Sequence, residues 1–180
     1  GGMQPNKDLT DLTLKTEFQL EAPIEKEVYG LDAENIMMGW KFPGASSDEA
    51  HIAEVAGSVL YNGTAGLIDL NINQQQKVLG AYGMSYIRPD ASEFIIMADP
   101  KQGQTLEEVR DIMLEEVAKL RNGEFDEALL AGTVNNLRLE QMKALESNAR
   151  RADMFVNSFI NGTEWKDEVK ALDKMSQVTK

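Results

Sequence analysis

Apolar and polar residues alternate strictly from Asn35 to Phe42. Ile36, Met38, Trp40 and Phe42 fall on one side, and Met37, Gly39 and Lys41 fall on the other. A period of two that closes on Pro43-Gly44 predicts a strand. The period then changes. Ser46-Ser47-Asp48-Glu49 reads as a capping box with Ser46 as the cap, and Ile52, Val55, Ala56, Val59 and Leu60 recur behind it at helical spacing. This predicts a helix with one apolar face, stopped by Asn62-Gly63.

Residues 65–76 predict a second, short helix carrying Leu67, Ile68 and Leu70 inward. Val78–Ile87 and Ser92–Ala98 predict two strands joined at Arg88-Pro89-Asp90, hence a hairpin. Thr105 and Glu108 form a second capping box. It opens a helix whose buried stripe is Leu106, Val109, Ile112, Met113, Val117 and Leu120. Asn122-Gly123 ends it, and three more helices follow over Phe125–Asn148, Asp153–Ile160 and Trp165–Met175. Before the first strand, residues 1–15 are polar, with short extended pieces expected at Glu17–Glu21 and Lys26–Tyr29 around Pro23. Strand, helix, hairpin and then a helical run is an α+β order, with one sheet and helices packed on one face.

At 180 residues, with 42% hydrophobic and 27% charged positions, the chain has the composition of a folded globular domain. Its net charge of −12 argues against partners that are nucleic acids or anionic membranes. The absence of cysteine removes disulfides, thiolate metal sites and a cysteine nucleophile, and leaves both periplasm and cytoplasm open. Gly1-Gly2-Met3 reads as a short addition ahead of a start residue, which is compatible with a parent whose leader has been removed.

One stretch invites a chemical reading. His51-Ile52-Ala53-Glu54-Val55 holds the single histidine and agrees with H-x-x-E-H in four of its five places. His51 and Glu54 can share a helix side. A catalytic zinc site, however, needs three protein ligands, and Val55 stands where the second imidazole belongs. The residues therefore predict a helix-surface His–Glu pair with no metal. Glu108, Asp111, Glu115 and Glu116 read as a solvated acidic face. Asn62-Gly63-Thr64 and Asn161-Gly162-Thr163 match a glycosylation pattern but read more simply as turns. A serine triad lacks a base other than His51.

The ordered segments NIMMGWKFPGAS, SSDEAHIAEVAGSVL, AGLIDLNINQQQKVLGAYGMSY, SEFIIMADPKQGQTLEEVRDIMLEEVAKLRNGEFDEALL, LEQMKALESNARRADMFVNSFINGTEW and DKMSQVTK resemble the non-catalytic domain of insulinase/pitrilysin zinc peptidases. The resemblance covers residues 31–180, with 1–30 as a polar leader with partial edge strands. It implies the mitochondrial-processing-peptidase-like metallohydrolase fold, clipped at both ends and excised from a longer peptidase. It also implies that the helix carrying HIAEV is the counterpart of the zinc helix in a duplicated domain, so this chain has no metal ligand and no catalytic residue. Zinc belongs to the parent's catalytic domain.

The family's R-x-x-x-x-x-x-Y pair would fall on Gln75 and Tyr82. Tyr82 keeps the hydroxyl that could touch substrate, but Gln75 lacks the cation. The resemblance thus implies a structural, substrate-enclosing domain whose partners are a peptide and the parent's other domains. An alternative is a catalytically silent interaction module or partner subunit of the same fold. Apolar surface left bare by absent neighbours implies weak self-association, with Trp40 and the Met-rich strand as candidate contributors.

Overall fold

A computed structural model describes Gly2 and residues 20–180. The chain divides into two units between Gly30 and Leu31. In the first, residues 20–30 carry neither helix nor strand. The polar start and most of the extended piece expected at Glu17–Glu21 lie outside the described residues. The piece expected at Lys26–Tyr29 is not a strand: Val28 and Tyr29 are 91% and 90% exposed, and no sheet pairing reaches them.

The second unit contains one antiparallel sheet of three strands in the order β1-β3-β2, with β1 Ile36–Pro43, β2 Gly80–Tyr86 and β3 Ala91–Asp99. Trp40 pairs with Phe94, which also faces Ser85; Met38 pairs with Ile96, which also faces Gly83. One face therefore presents Ile36, Met38, Trp40, Phe42, Ala81, Gly83, Phe94, Ile96 and Ala98 to the core. Trp40 packs there, as its place in the alternation requires, and is not a surface contact.

Five α-helices lie on that side: α1 Asp48–Leu60, α2 Leu106–Asn122, α3 Glu127–Glu146, α4 Asn148–Asn161 and α5 Trp165–Met175. α1 touches all three strands and also α2, α3 and α5. It is therefore buried on most of its circumference, and two details of the expected apolar face change. Its cap is Ser47, whose Oγ accepts from the Glu49 amide at 3.1 Å, one residue later than Ser46. Ile52 is 51% exposed, while Ala50, Ala53 and Gly57 are buried, because small residues suit a helix squeezed between two layers. A Cβ on Gly57 would come within 2.9 Å of the Phe94 ring.

α2 opens on the expected capping box: Thr105 Oγ1 accepts from the Glu108 amide at 3.2 Å and Glu108 Oε2 accepts from the Thr105 amide at 2.9 Å. It ends at Gly123 in the left-handed region, φ 67°. The segment after α1 is wider than an α-helix. A π-helical turn over Asp69–Asn73 rotates Leu70 outward and brings Ile72 into the core in its place. The Asp69 carboxylate accepts the amides of Asn62 at 3.1 Å and Gly66 at 2.9 Å, closing the Asn62-Gly63 turn. Asn73 then uses its side-chain amide like a neighbouring strand. It donates to the Ala81 carbonyl at 2.8 Å and accepts from the Ala81 amide at 2.9 Å on the free side of β2.

Candidate functional site

The HIAEV segment lies in the first half of α1. Val55 is 1% exposed, so the position where a second imidazole would stand is given to the core. His51 and Glu54 are partly buried and line a cleft of about 400 Å³ shared with α3, α4 and α5. This corrects the expected surface pair. α5 and α3 add Glu168 and Glu140, and the aliphatic walls include Leu137, Met154, Ala171 and Leu172.

Burial pushes the Glu54 carboxyl above the usual carboxylate range, and the nearby Glu168 carboxylate pushes it further. Burial also holds the His51 imidazole below its ordinary value. Lys174 adds to that depression, and Asp48 and Glu168 oppose it. At the rim, Lys174 Nζ donates to Asp48 Oδ1 at 2.7 Å, joining α5 to the start of α1. Glu168 accepts from the Thr163 hydroxyl, and Glu140 is paired to Lys143 at 2.8 Å.

This donor set does not fit zinc. It offers a single imidazole, and the Glu168 and Glu140 carboxylates are turned to Thr163 and Lys143. Among the described residues no three His, Cys, Asp or Glu side chains form a group able to hold a metal ion. No hydrolytic step through a metal follows from it.

Tyr82 stands elsewhere, on the face of the sheet opposite the helices. It is 47% exposed, in a row with the outward residues Met84 and Tyr86 of β2, beside Met37 of β1 and Met97 of β3. Gly80 leaves room for it: a Cβ there would meet the Tyr82 hydroxyl at 2.6 Å. Gln75 is exposed in the turn that precedes β2. The structure thus separates Tyr82 from the His51–Glu54 cleft by the thickness of the sheet and α1.

The acidic face of α2 holds one exception. Glu116 is 0% exposed. Its two oxygens accept from Lys119 Nζ at 2.7 Å and from Asn71 Nδ2 at 2.7 Å. Glu108, Asp111 and Glu115 are exposed as expected. Helical spacing sets Glu116 apart from these three, since it falls on the face of Val109 and Met113; its partner Asn71, 45 residues away in the π-helical turn, is what spacing does not show.

The profile of the peptidase M16 inactive domain matches residues 3–137. No curated protein matches the chain in sequence. Solved structures share the fold. A protease from Helicobacter pylori superposes with a TM-score of 0.75 at 16% identity, over 81% of this chain and 35% of that one. The inactive peptidase domain of a protein assigned as a zinc protease from Bordetella parapertussis gives 0.69 at 11%, over 81% of this chain and 79% of that one. A protein assigned as an M16-like peptidase from Alicyclobacillus acidocaldarius gives 0.64 at 14%, over 81% and 35%. The chain therefore spans about a third of the first and third of these proteins. A sheet backed on one side by helices and a profile match over most of its length agree: this chain belongs to the peptidase M16 inactive-domain family.

Proposed function

We propose that this domain is a non-catalytic, structural and substrate-enclosing part of a zinc metalloendopeptidase, with residues 31–180 as the domain proper and 1–30 as its leader. The bare face of the sheet carries the reading. Among the described residues all helices pack on one side, and the other presents Met37, Tyr82, Met84 and Tyr86 at 38–58% exposure. Such a surface is a flat apolar wall with hydroxyls, suited to an extended peptide of mixed composition. The parent's other domains supply the zinc and the remaining walls. The span of about a third of the Helicobacter pylori protease supports reading the chain as a piece of a longer peptidase.

The test uses the methionine methyls as reporters. With the chain labelled at its nine methionines, an excess of an extended apolar peptide is expected to shift Met37, Met84 and Met97, leave the buried Met113 and Met175 in place, and remain uncut. Shifts confined to the helical side, or cleavage that a chelator abolishes, overturn the proposal. A catalytically silent partner subunit of the same fold is the rival reading. It draws on the uncovered apolar side of α4, and H-x-x-E-H in the parent chain would decide against it.

A further inference from the structure

The sequence holds three Asn-Gly pairs, which begin at Asn62, Asn122 and Asn161. Each is a place where the chain can react with itself. Glycine has no Cβ to shield its amide, so the Gly nitrogen can reach the carboxamide carbon of the asparagine before it. The fold guards the three pairs unequally. Asn62 Nδ2 donates to the Ser58 carbonyl at 3.0 Å, and its Oδ1 accepts the amides of Thr64 at 3.1 Å and Ala65 at 2.9 Å. A carboxamide held through both of its polar atoms cannot turn onto its own backbone. Asn161 is half-buried and lines the cleft of His51 and Glu54. The chain beyond it is tied back twice: the Thr163 amide donates to the Ser158 carbonyl at 3.0 Å, and the Ser158 hydroxyl donates to the Thr163 carbonyl at 2.9 Å.

Asn122 closes α2 and is exposed. Its carboxamide makes one bond, from Nδ2 to Oε1 of the exposed Glu124 at 3.0 Å. The Gly123 amide donates to the Leu120 carbonyl at 3.1 Å, in the last turn of the helix, where opening is easiest. We propose that Asn122-Gly123 is the site at which the folded domain deamidates, while the fold keeps Asn62 and Asn161 closed to the same reaction. When the turn frays, solvent hydroxide takes the Gly123 amide proton and the nitrogen attacks Asn122 Cγ. The N–Cγ bond forms, the Cγ–Nδ2 bond breaks, and Nδ2 leaves as ammonia after taking a proton from water. Water then opens the imide ring. Opening at Cγ leaves aspartate; opening at the Asn122 backbone carbonyl leaves an isoaspartyl link whose chain runs through Cβ and Cγ. Either product places a carboxylate at the negative end of α2, beside Glu124, where charge of that sign is unfavourable. The isoaspartyl product also lengthens the backbone at the Gly123 cap, whose φ is 67°. The step therefore loosens the turn between α2 and α3. It does not depend on the peptide-enclosing role of the sheet.

Incubation of the folded chain at mildly alkaline pH, followed by peptide mapping with mass spectrometry, tests it. Asn122 should convert about fivefold or more faster than Asn161, the factor that one further net hydrogen bond is worth, and Asn62 should trail both. In urea strong enough to unfold the chain, the three pairs should react at similar rates, because the reacting dipeptide is the same. Asn122→Gln should remove the first acidic species seen on ion exchange, since its longer side chain must close a larger and slower ring. The aged chain should melt below the fresh one, and aged Asn122→Gln should not. Ser158→Ala should bring Asn161 toward the rate of Asn122, with circular dichroism confirming that both variants fold. Asn62 or Asn161 reacting first in the folded chain, equal rates at the three pairs, or a folded chain that keeps its Asn122 amide overturns the proposal. So does the native order of rates persisting in urea, which would assign it to flanking sequence instead of the fold.

Discussion

Removing Lys119 should harm this domain more than neutralising the acid it pairs with. Glu116 is wholly buried, whereas the Lys119 side chain keeps 28% of its surface and touches Glu115 at 3.5 Å as well. In Lys119→Met the carboxylate keeps only the Asn71 bond and stays in the interior. Stranding one member of a buried pair costs about 3–5 kcal/mol, and the lower end applies because Asn71 remains. In Glu116→Gln the amide can still accept a bond and Lys119 can turn to water, so the loss is that of a charge-assisted bond reduced to a neutral one, about 1 kcal/mol.

Burial lowers the pair's tolerance for error, but it does not complicate the pH. The bond to Glu116 holds the Lys119 ammonium above its ordinary range. Its contribution is therefore present below the ordinary lysine value and lost only as pH rises through the raised one. Thermal melts at pH 7.5 sample it in full. At ~2–4 °C per kcal/mol for a chain of this size, Lys119→Met should fall by ~6–12 °C and Glu116→Gln by ~2–4 °C. The double variant leaves no stranded charge and should be less damaged than the sum of the two, with a coupling of ~2 kcal/mol. Equal losses for the two single variants, or strict additivity, would refute this account of the pair.

Glu54→Gln should stabilise the domain at pH 7.5, with the gain vanishing below pH ~4.5. The raised carboxyl contributes stability below its unfolded value and loses it as pH rises through the folded one; urea melts at the two pH values check this. His51→Gln should change stability little at pH 7.5 and help slightly near pH 5. The depressed imidazole contributes above its unfolded value and loses that as pH falls through the folded one, as the same melts would show. Gly57→Ala should destabilise by ~1–3 kcal/mol, since the new methyl meets the Phe94 ring and the Ser85 hydroxyl; an unchanged urea midpoint counts against a tight α1–sheet contact. Asn73→Leu should cost ~1–3 kcal/mol by unpairing both backbone groups of Ala81, and amide exchange at Ala81 should quicken far more than at Ile96.

Local chemistry made much of the fold legible. The period of two at β1, the Thr105–Glu108 box, the hairpin around Pro89 and the whole span of α5 follow from residues close in sequence. The misses share a different origin. Ile52 and Leu70 sit at helical spacing with core residues, yet a helix clasped on several sides and a turn widened by one residue changed which side chains went inward. Glu116 shares the buried face of Val109 and Met113, but its partner Asn71 comes to it only through the fold. For the site, the alternation of β2 already set Tyr82 apart from Ala81. That Tyr82 belongs to an uncovered face became visible only once every helix was seen on the other side.

The Asn73 side chain has a consequence for growth of the sheet. Along β2 the backbone groups turned away from β3 are those of alternate residues, starting with Ala81, and Asn73 has already taken both groups of Ala81. An incoming strand could zip along Gly83 and Ser85 but would be stopped one step later. The border at β2 thus works as a ratchet stop that admits a stub and refuses a ladder. Any long backbone-to-backbone addition at β2, productive or amyloid-like, is thus cut short after that stub.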